Sequence, residues 1–206
     1  MRCTLCNTEL TIKKDDFYFN CINCGGVLKN NKYYLSKDQE KERYKEHNND
    51  VTDEGYINFT APITTAILKK QSPLHLGLDY GSGTGPVISS QLIDKGYKVK
   101  LFDPFFKNTQ DYLNYKYDYI FSCEVFEHFF NPKKEIEKLI QLLKPNGHLY
   151  IMTHLYSENI DFSNWYYRND PTHVFIYTRK TIDFIVKTYN LNLEMLENRL
   201  IVLRKN

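Results

Sequence analysis

No run of eighteen apolar residues occurs in the 206-residue chain, so the ordinary signal of a membrane-spanning helix is missing. No apolar segment follows a basic N-terminus either, which argues against a secretory signal. Charge of one sign is equally scarce. The 27 Lys and Arg against 25 Asp and Glu leave a formal net charge of +2, and no broad positive field marks the chain for nucleic acid. Internal repeats and low-complexity tracts are lacking. Beyond the first 24 residues there is a single cysteine, Cys123. Four cysteines crowded into one end of a chain without a leader suit a metal in a reducing compartment better than disulfides, and the expected location is cytoplasmic.

What remains is the composition of a globular chain, 42% hydrophobic and 25% charged. The length suits one catalytic domain with a core of its own and a small appendage. Aromatics reach 15%, with 17 Tyr and 13 Phe, an excess that suits aromatic-lined pockets. Three segments follow from the pattern. Residues 1–34 hold the cysteine pairs and short β-prone stretches such as Phe17-Tyr18-Phe19. Residues 35–54 are strongly polar and read as a solvated helix or linker ending at Asn48-Asn49-Asp50. Residues 55–206 alternate helices and short apolar strands, which implies a parallel sheet covered on both faces. The spacing predicts helices over 57–70, 86–94, 132–143 and 178–189, and strands over 74–79, 97–102, 117–122, 148–153, 191–196 and 200–203. The closing pair reads as a hairpin that gives the sheet an antiparallel last strand.

Cys3-x-x-Cys6 and Cys21-x-x-Cys24 are separated by fourteen residues, enough for a hairpin that brings two knuckles together. Four thiolates select tetrahedral Zn²⁺, and so short a segment has too little apolar material to fold without it. An iron site of the rubredoxin type uses the same ligands, and free or disulfide-bonded cysteines are the plainer reading. Residues 1–48 carry nine Lys or Arg against seven Asp or Glu, so the ribbon has no strong grip for phosphate.

The strongest local signal is a strand ending in an acid, Asp79, then Gly81-Ser82-Gly83-Thr84-Gly85, then a helix. Such a loop brings backbone close to a ligand at the carboxyl edge of a sheet. A dinucleotide fingerprint would place its third glycine at Pro86, which fails. An acid directly before the loop suits a ligand with a cationic amino group. Asp103 ends the next strand, where a carboxylate can accept ribose hydroxyls.

With these residues in view, the chain resembles the class I S-adenosylmethionine-dependent methyltransferases. Leu78 to Gly85 looks like their first motif, Tyr117 to His128 like the motif of their fourth strand, and Leu143-Lys144-Pro145-Asn146-Gly147-His148-Leu149 like the turn before their fifth. The resemblance implies a Rossmann-like α/β fold and S-adenosylmethionine as cofactor. It places the methionine part at Asp79, Gly81, Gly83 and Gly85, the ribose at Asp103, and a far wall at Ser122 and Cys123. Tyr117 follows Asp103 by only fourteen residues, so the third strand should be reduced or absent. Asp111 is then the candidate for the adenine amino group.

Glu124-x-x-Glu127-His128, with His173 downstream, forms a further constellation. Two carboxylates and two imidazoles suit Mg²⁺ or Mn²⁺, and the spacing is similar to that of small-RNA 2′-O-methyltransferases and some quinone-biosynthesis O-methyltransferases. His128 or His173 as a general base is the rival reading. The bland alternative has the glutamates capping a helix and His128 partly buried and satisfied. Trp165 and Arg168 follow the fifth strand, where a substrate lid or core aromatics belong, and Cys123 reads as a small apolar residue beside the cofactor. The expected reaction is methyl transfer to the oxygen or nitrogen of a small molecule. RNA or protein acceptors docked on the ribbon, and a non-catalytic binding protein with a vestigial fold, are the alternatives.

Overall fold

The computed structural model describes residues 1–45 and 50–206; the expected end of the polar helix at Asn48-Asn49 lies outside the described residues. Three short strands open the chain: β1 (Ile12–Lys13), β2 (Tyr18–Asn20) and β3 (Val27–Lys29). Two helices follow, α1 (Lys37–Lys45) and α2 (Glu54–Lys70). The alternating part runs β4 (Leu76–Tyr80), α3 (Val87–Asp94), β5 (Lys98–Phe102), β6 (Tyr117–Cys123), α4 (Pro132–Leu142) and β7 (Leu143–Met152). It continues through α5 (Tyr166–Asn169), β8 (Phe175–Ile176), α6 (Arg179–Thr188), β9 (Leu191–Glu197) and β10 (Leu200–Lys205).

The main sheet has the order β5-β4-β6-β7-β10-β9. Its first four strands are parallel, and β10 enters antiparallel between β7 and β9. This is the expected Rossmann-like sheet with an antiparallel last strand. The third strand is absent: residues Gln110–Asn114 form a short 3-10 turn instead, and Tyr112 packs its ring 4.2 Å from Phe102. β5 is therefore an edge, and Lys98 and Lys100 on it discourage pairing with a foreign strand.

Period-two alternation along β6 serves two cores. Ile120 faces a cluster with Ile136 and Leu139 of α4 and Ile182 and Ile185 of α6. Tyr119 and Phe121 face the opposite cluster, with Ile63 and Ile67 of α2 and Val87, Ile88 and Leu92 of α3. Gly77 is required by this packing, because a Cβ there would lie 2.3 Å from the Tyr119 ring. Helix starts are marked as their chemistry demands. Asp53 accepts from Tyr56 N at 2.6 Å and opens α2 earlier than the apolar period alone predicts. Asn131 caps α4 with Pro132 in its first turn, and Thr178 with Thr181 forms a capping box on α6. β7 also begins earlier than expected, because Leu143 pairs with Tyr117 before Asn146 turns left-handed and pairing resumes at His148.

The two cysteine knuckles repeat one backbone pattern. Asn7 N donates to Cys3 O and Gly25 N to Cys21 O; Cys3 N donates to Thr8 O and Cys21 N to Gly26 O. Asn7 and Gly25 both take positive φ, 61° and 76°, as such a turn requires. β1, β2 and β3 form an antiparallel sheet whose fourth strand is β8 from the later part of the chain. Cys3, Cys21, Cys24 and Leu28 lie in the same core cluster as Ile120 and Leu139. The cysteine-bearing segment thus packs its apolar side into the core on the α4 and α6 face of the main sheet.

Candidate active site

A cavity of about 1290 Å³ opens at the carboxyl ends of β4, β5 and β6. Gly81, Ser82 and Gly83 line it on one side, and Asp103 through Phe106 on another. The N–H groups of this loop do not point freely at a ligand. Gly81 N and Ser82 N donate to Phe102 O, and Gly83 N donates to Asp103 Oδ2 at 3.0 Å. Phe105 N and Phe106 N donate to Asp103 Oδ1 at 2.8 and 3.0 Å. The glycine loop and the second acid are therefore one rigid unit. Of about four acceptor positions on a carboxylate, Asp103 keeps about one for a further donor.

Asp79 is 6% exposed and lies behind the wall, where Ser89 Oγ donates to it at 2.6 Å. Burial pushes its carboxyl up to about 7, the charge of Asp103 adds to this, and only the Ser89 hydroxyl offsets it. Gly85 also sits outside the wall, its carbonyl accepting from Val87 N. Ser122 is fully buried and donates to Tyr80 O, while Cys123 lines the cavity, its thiol held protonated by burial. Asp111 is exposed on the 3-10 turn and takes no part in the wall. The expectation that it faces the adenine does not fit this placement: with the third strand missing, Tyr112 turns inward and Asp111 outward. Asn108 and the rings of Tyr80, Phe102 and Phe105 line that side.

The opposite end of the cavity holds the acidic and imidazole groups. Glu124 adopts a left-handed backbone, φ 50°, which costs a non-glycine residue of order 1 kcal/mol. It starts the turn that carries Glu127 and His128, and its N–H is fixed on Met152 O. Glu127 is 0% exposed; Thr153 Oγ1 donates to its Oε2 at 3.0 Å and has Tyr167 Oη 2.8 Å away. Among the described residues the other oxygen, Oε1, has no hydrogen-bond partner. It lies 4.0 Å from Nε2 of both His128 and His173. Each imidazole bonds a backbone carbonyl through Nδ1, His128 to Thr172 O at 3.1 Å and His173 to Tyr167 O at 2.6 Å. Those bonds place the ring protons on Nδ1 and leave lone pairs on both Nε2 atoms. Burial pushes the two rings down to about 4 and about 3 and lifts Glu127 above the usual carboxylate range. Three acceptors thus face one another with no donor between them. Glu124, the fourth residue of the expected set, turns toward Arg199, 3.5 Å away, and burial together with the charge of Glu127 raises its carboxyl.

The four ribbon cysteines form a separate cluster. Cys3 and Cys24 sulfurs are 3.6 Å apart, Cys6 and Cys21 sulfurs 3.4 Å, and all four lie within 4.8 Å of one another. A tetrahedral zinc with Zn–S of about 2.3 Å needs sulfurs about 3.8 Å apart, so the set matches the ion. All five cysteines are unpaired.

Two parts of the wall escaped the sequence reading. α1, taken as solvated, contributes Glu40 and Tyr44 to the cavity. Glu40 is 4% exposed, and the Tyr44 ring meets His128 edge-on at 5.4 Å. The available signal was Tyr44 itself, the one aromatic residue between 35 and 54. Arg199, from the turn between β9 and β10, bonds Tyr166 Oη of α5 and closes the far rim. Trp165 and Tyr167 are buried as core aromatics, whereas Tyr166 is 59% exposed at the rim.

Residues 53–196 match the family model described as a methyltransferase domain. The chain belongs to that family. It is a class I S-adenosylmethionine-dependent methyltransferase. A comparison with curated protein sequences gives no match. Among solved structures, this methyltransferase is similar to an O-methyltransferase family protein from Burkholderia thailandensis, at 15% identity and a TM-score of 0.55 over 80% of this chain and 61% of that one. It is also similar to the 1,6-didemethyltoxoflavin-N1-methyltransferase of the same organism with bound S-adenosylhomocysteine (13%, 0.58, 91% and 98%). A third is a chain of the complex between the Haloferax volcanii Trm112 methyltransferase activator and the putative methyltransferase (16%, 0.59, 83% and 99%). At these identities the likeness is one of fold. The methyltransferase spans 61% of the first of these proteins. Among its described residues no helix is long and apolar enough to cross a membrane.

Proposed function

We propose that this methyltransferase acts on an oxygen or nitrogen of a small molecule held between the glycine loop and the Glu/His cluster. The observation that carries this reading is the continuation of one cavity wall from the glycine loop through α1 and α5 to Arg199, a confined space that suits a compact acceptor better than a polymer. S-adenosylmethionine, when bound, supplies an electrophilic methyl group on a sulfonium. Asp79, buried behind the loop, has no cation among the described residues offsetting it, and the cofactor's ammonium on the cavity side of that loop is the complementary charge for it. Gly81 and Gly83 let the backbone run close along the methionine part, and Gly83 N–H fixes the Asp103 carboxylate that accepts a ribose hydroxyl. Tyr80, Phe102 and Phe105 give the adenine an apolar wall. The rest of the rate enhancement is alignment and exclusion of water around the two reactants.

The Glu127, His128 and His173 set fits a divalent cation, because three groups that can each offer a lone pair converge with no donor from the described residues between them. Two imidazoles and one carboxylate favour Mn²⁺ over Mg²⁺. Such an ion would supply Lewis acidity to an acceptor oxygen. The Cys3, Cys6, Cys21 and Cys24 set fits structural Zn²⁺, and the unpaired thiols support a reducing, cytoplasmic compartment.

The test is transfer of isotopically labelled methyl from S-adenosylmethionine into a fractionated cell extract. Label in the small-molecule fraction, lost in Asp103→Ala, supports the reading. Label confined to the RNA or protein fraction overturns it.

A further inference from the structure

The ribbon reaches the cluster through the segment that carries His173. β3 pairs with β8, Val27 opposite Ile176 and Leu28 opposite Phe175. Lys29 N donates to Val174 O at 2.9 Å. Side chains reach further: Lys29 Nζ donates to Pro171 O at 2.7 Å, and Tyr18 Oη shares its one proton between His173 O and Arg168 O, both at 3.1 Å. Three carbonyls in and around the His173 segment, those of Arg168, Pro171 and His173 itself, therefore hang on ribbon side chains. Lys29 is only 6% exposed, and its ammonium accepts that burial while hydrogen-bonding backbone carbonyls rather than a carboxylate. Burial of this kind is costly for stability, and an apolar side chain of the same length would fill the space at lower cost. Other ribbon cations are also engaged within the chain: Lys14 bonds Tyr156 and Glu158.

We propose that the N-terminal ribbon is an internal brace for the acceptor side of the active site, with Tyr18 and Lys29 as positioning residues that hold His173 opposite Glu127. This rests on the reading of Glu127, His128 and His173 as the acceptor-side cluster. The knuckles anchor β2 and β3, those strands hold residues 170–176, and the His173 imidazole is delivered with its Nδ1–H on Tyr167 O and its Nε2 toward Glu127 Oε1. The ribbon's task is then geometric and internal to the chain, and needs no polymer to dock on it.

The experiment follows the His173 ring directly in ¹⁵N-histidine-labelled, zinc-loaded protein, its signal assigned by loss in His173→Gln. Lys29→Met and Tyr18→Phe each remove charge-assisted or hydroxyl bonds to the segment, and should speed solvent exchange of the His173 Nδ1 proton about tenfold, the value of one such bond. Lys29→Arg should restore it, and Lys14→Met, on the same ribbon but away from His173, should leave it unchanged. The melting temperature of Lys29→Met should equal or exceed that of the parent, which separates positioning from simple support of the fold. Should Lys29→Met not fold, Tyr18→Phe, which deletes one oxygen, carries the same expectation. Exchange unchanged in Tyr18→Phe and in every folded Lys29 variant would overturn the brace. The readout needs neither cofactor nor acceptor, so failure of the parent protein to bind S-adenosylmethionine would count against the proposed function alone.

Discussion

Asp79→Asn should make the cofactor-free protein more stable and the cofactor weaker-bound, and the size of the first effect should depend on pH. In the folded chain burial lifts the Asp79 carboxyl from the usual 3.8 to about 7. A group whose affinity for its proton rises on folding contributes stability that is complete below its unfolded pKa and is lost as pH rises through the folded one. Each tenfold step is worth about 1.4 kcal/mol. Between pH 5 and pH 8, where the folded-state ionisation is largely complete, the parent therefore loses about 2.6 kcal/mol that Asp79→Asn, which never ionises, keeps. The amide still accepts the Ser89 hydroxyl, so packing is retained. Urea denaturation of both proteins at pH 5 and pH 8 should show the variant's advantage growing by about that amount. Calorimetric titration at pH 7 should show S-adenosylmethionine binding about tenfold more weakly, the value of a charge attraction acting across the loop rather than through a direct bond. An advantage that stays constant with pH, or unchanged affinity, would refute the assignment of Asp79 as the buried counter-charge.

Three further outcomes follow from the same geometry. Mn²⁺ added to the protein should bind and broaden its paramagnetic resonance signal, and Glu127→Gln, which removes one of three ligands, should weaken that binding by about 10- to 100-fold. Purified protein should release one zinc per chain on treatment with a thiol-blocking mercurial, read with a colorimetric chelator, and its denaturation midpoint should fall, since binding energy of structural zinc is folding energy. Leu139→Ala, at a fully buried position between α4 and the sheet, should cost about 3 kcal/mol of stability while leaving cofactor affinity near that of the parent.

Most of the sheet was legible because burial on both faces writes apolar runs such as Tyr117 to Cys123 directly into the chain. The missing third strand was legible as a distance, Tyr117 following Asp103 by only fourteen positions. What replaces it was not, because a 3-10 turn leaves no periodicity, and the outward turn of Asp111 follows from Tyr112 packing on Phe102. The cysteine spacing announced a ribbon but not its partner. β8 is only two residues long, too short for any pattern, and the pairing of Phe175 with Leu28 spans about seven-tenths of the chain. α1 was hidden for the opposite reason. Its composition is that of a solvated helix, and the burial of Glu40 and half-burial of Tyr44 depend on a cavity that only the folded chain creates. The Glu127, His128 and His173 triangle was named as a motif, yet the unpartnered Oε1 and the Nδ1 bonds that expose both Nε2 atoms required coordinates.

The central claim is that the loop after β4 and the acid after β5 form one S-adenosylmethionine site. Isothermal titration of the cofactor into the parent protein, Gly83→Val and Asp103→Ala tests it most directly. Saturable binding at one site per chain in the parent, abolished in both variants, is the expected result. Absence of binding in the parent, or affinity unchanged by both substitutions, would contradict it.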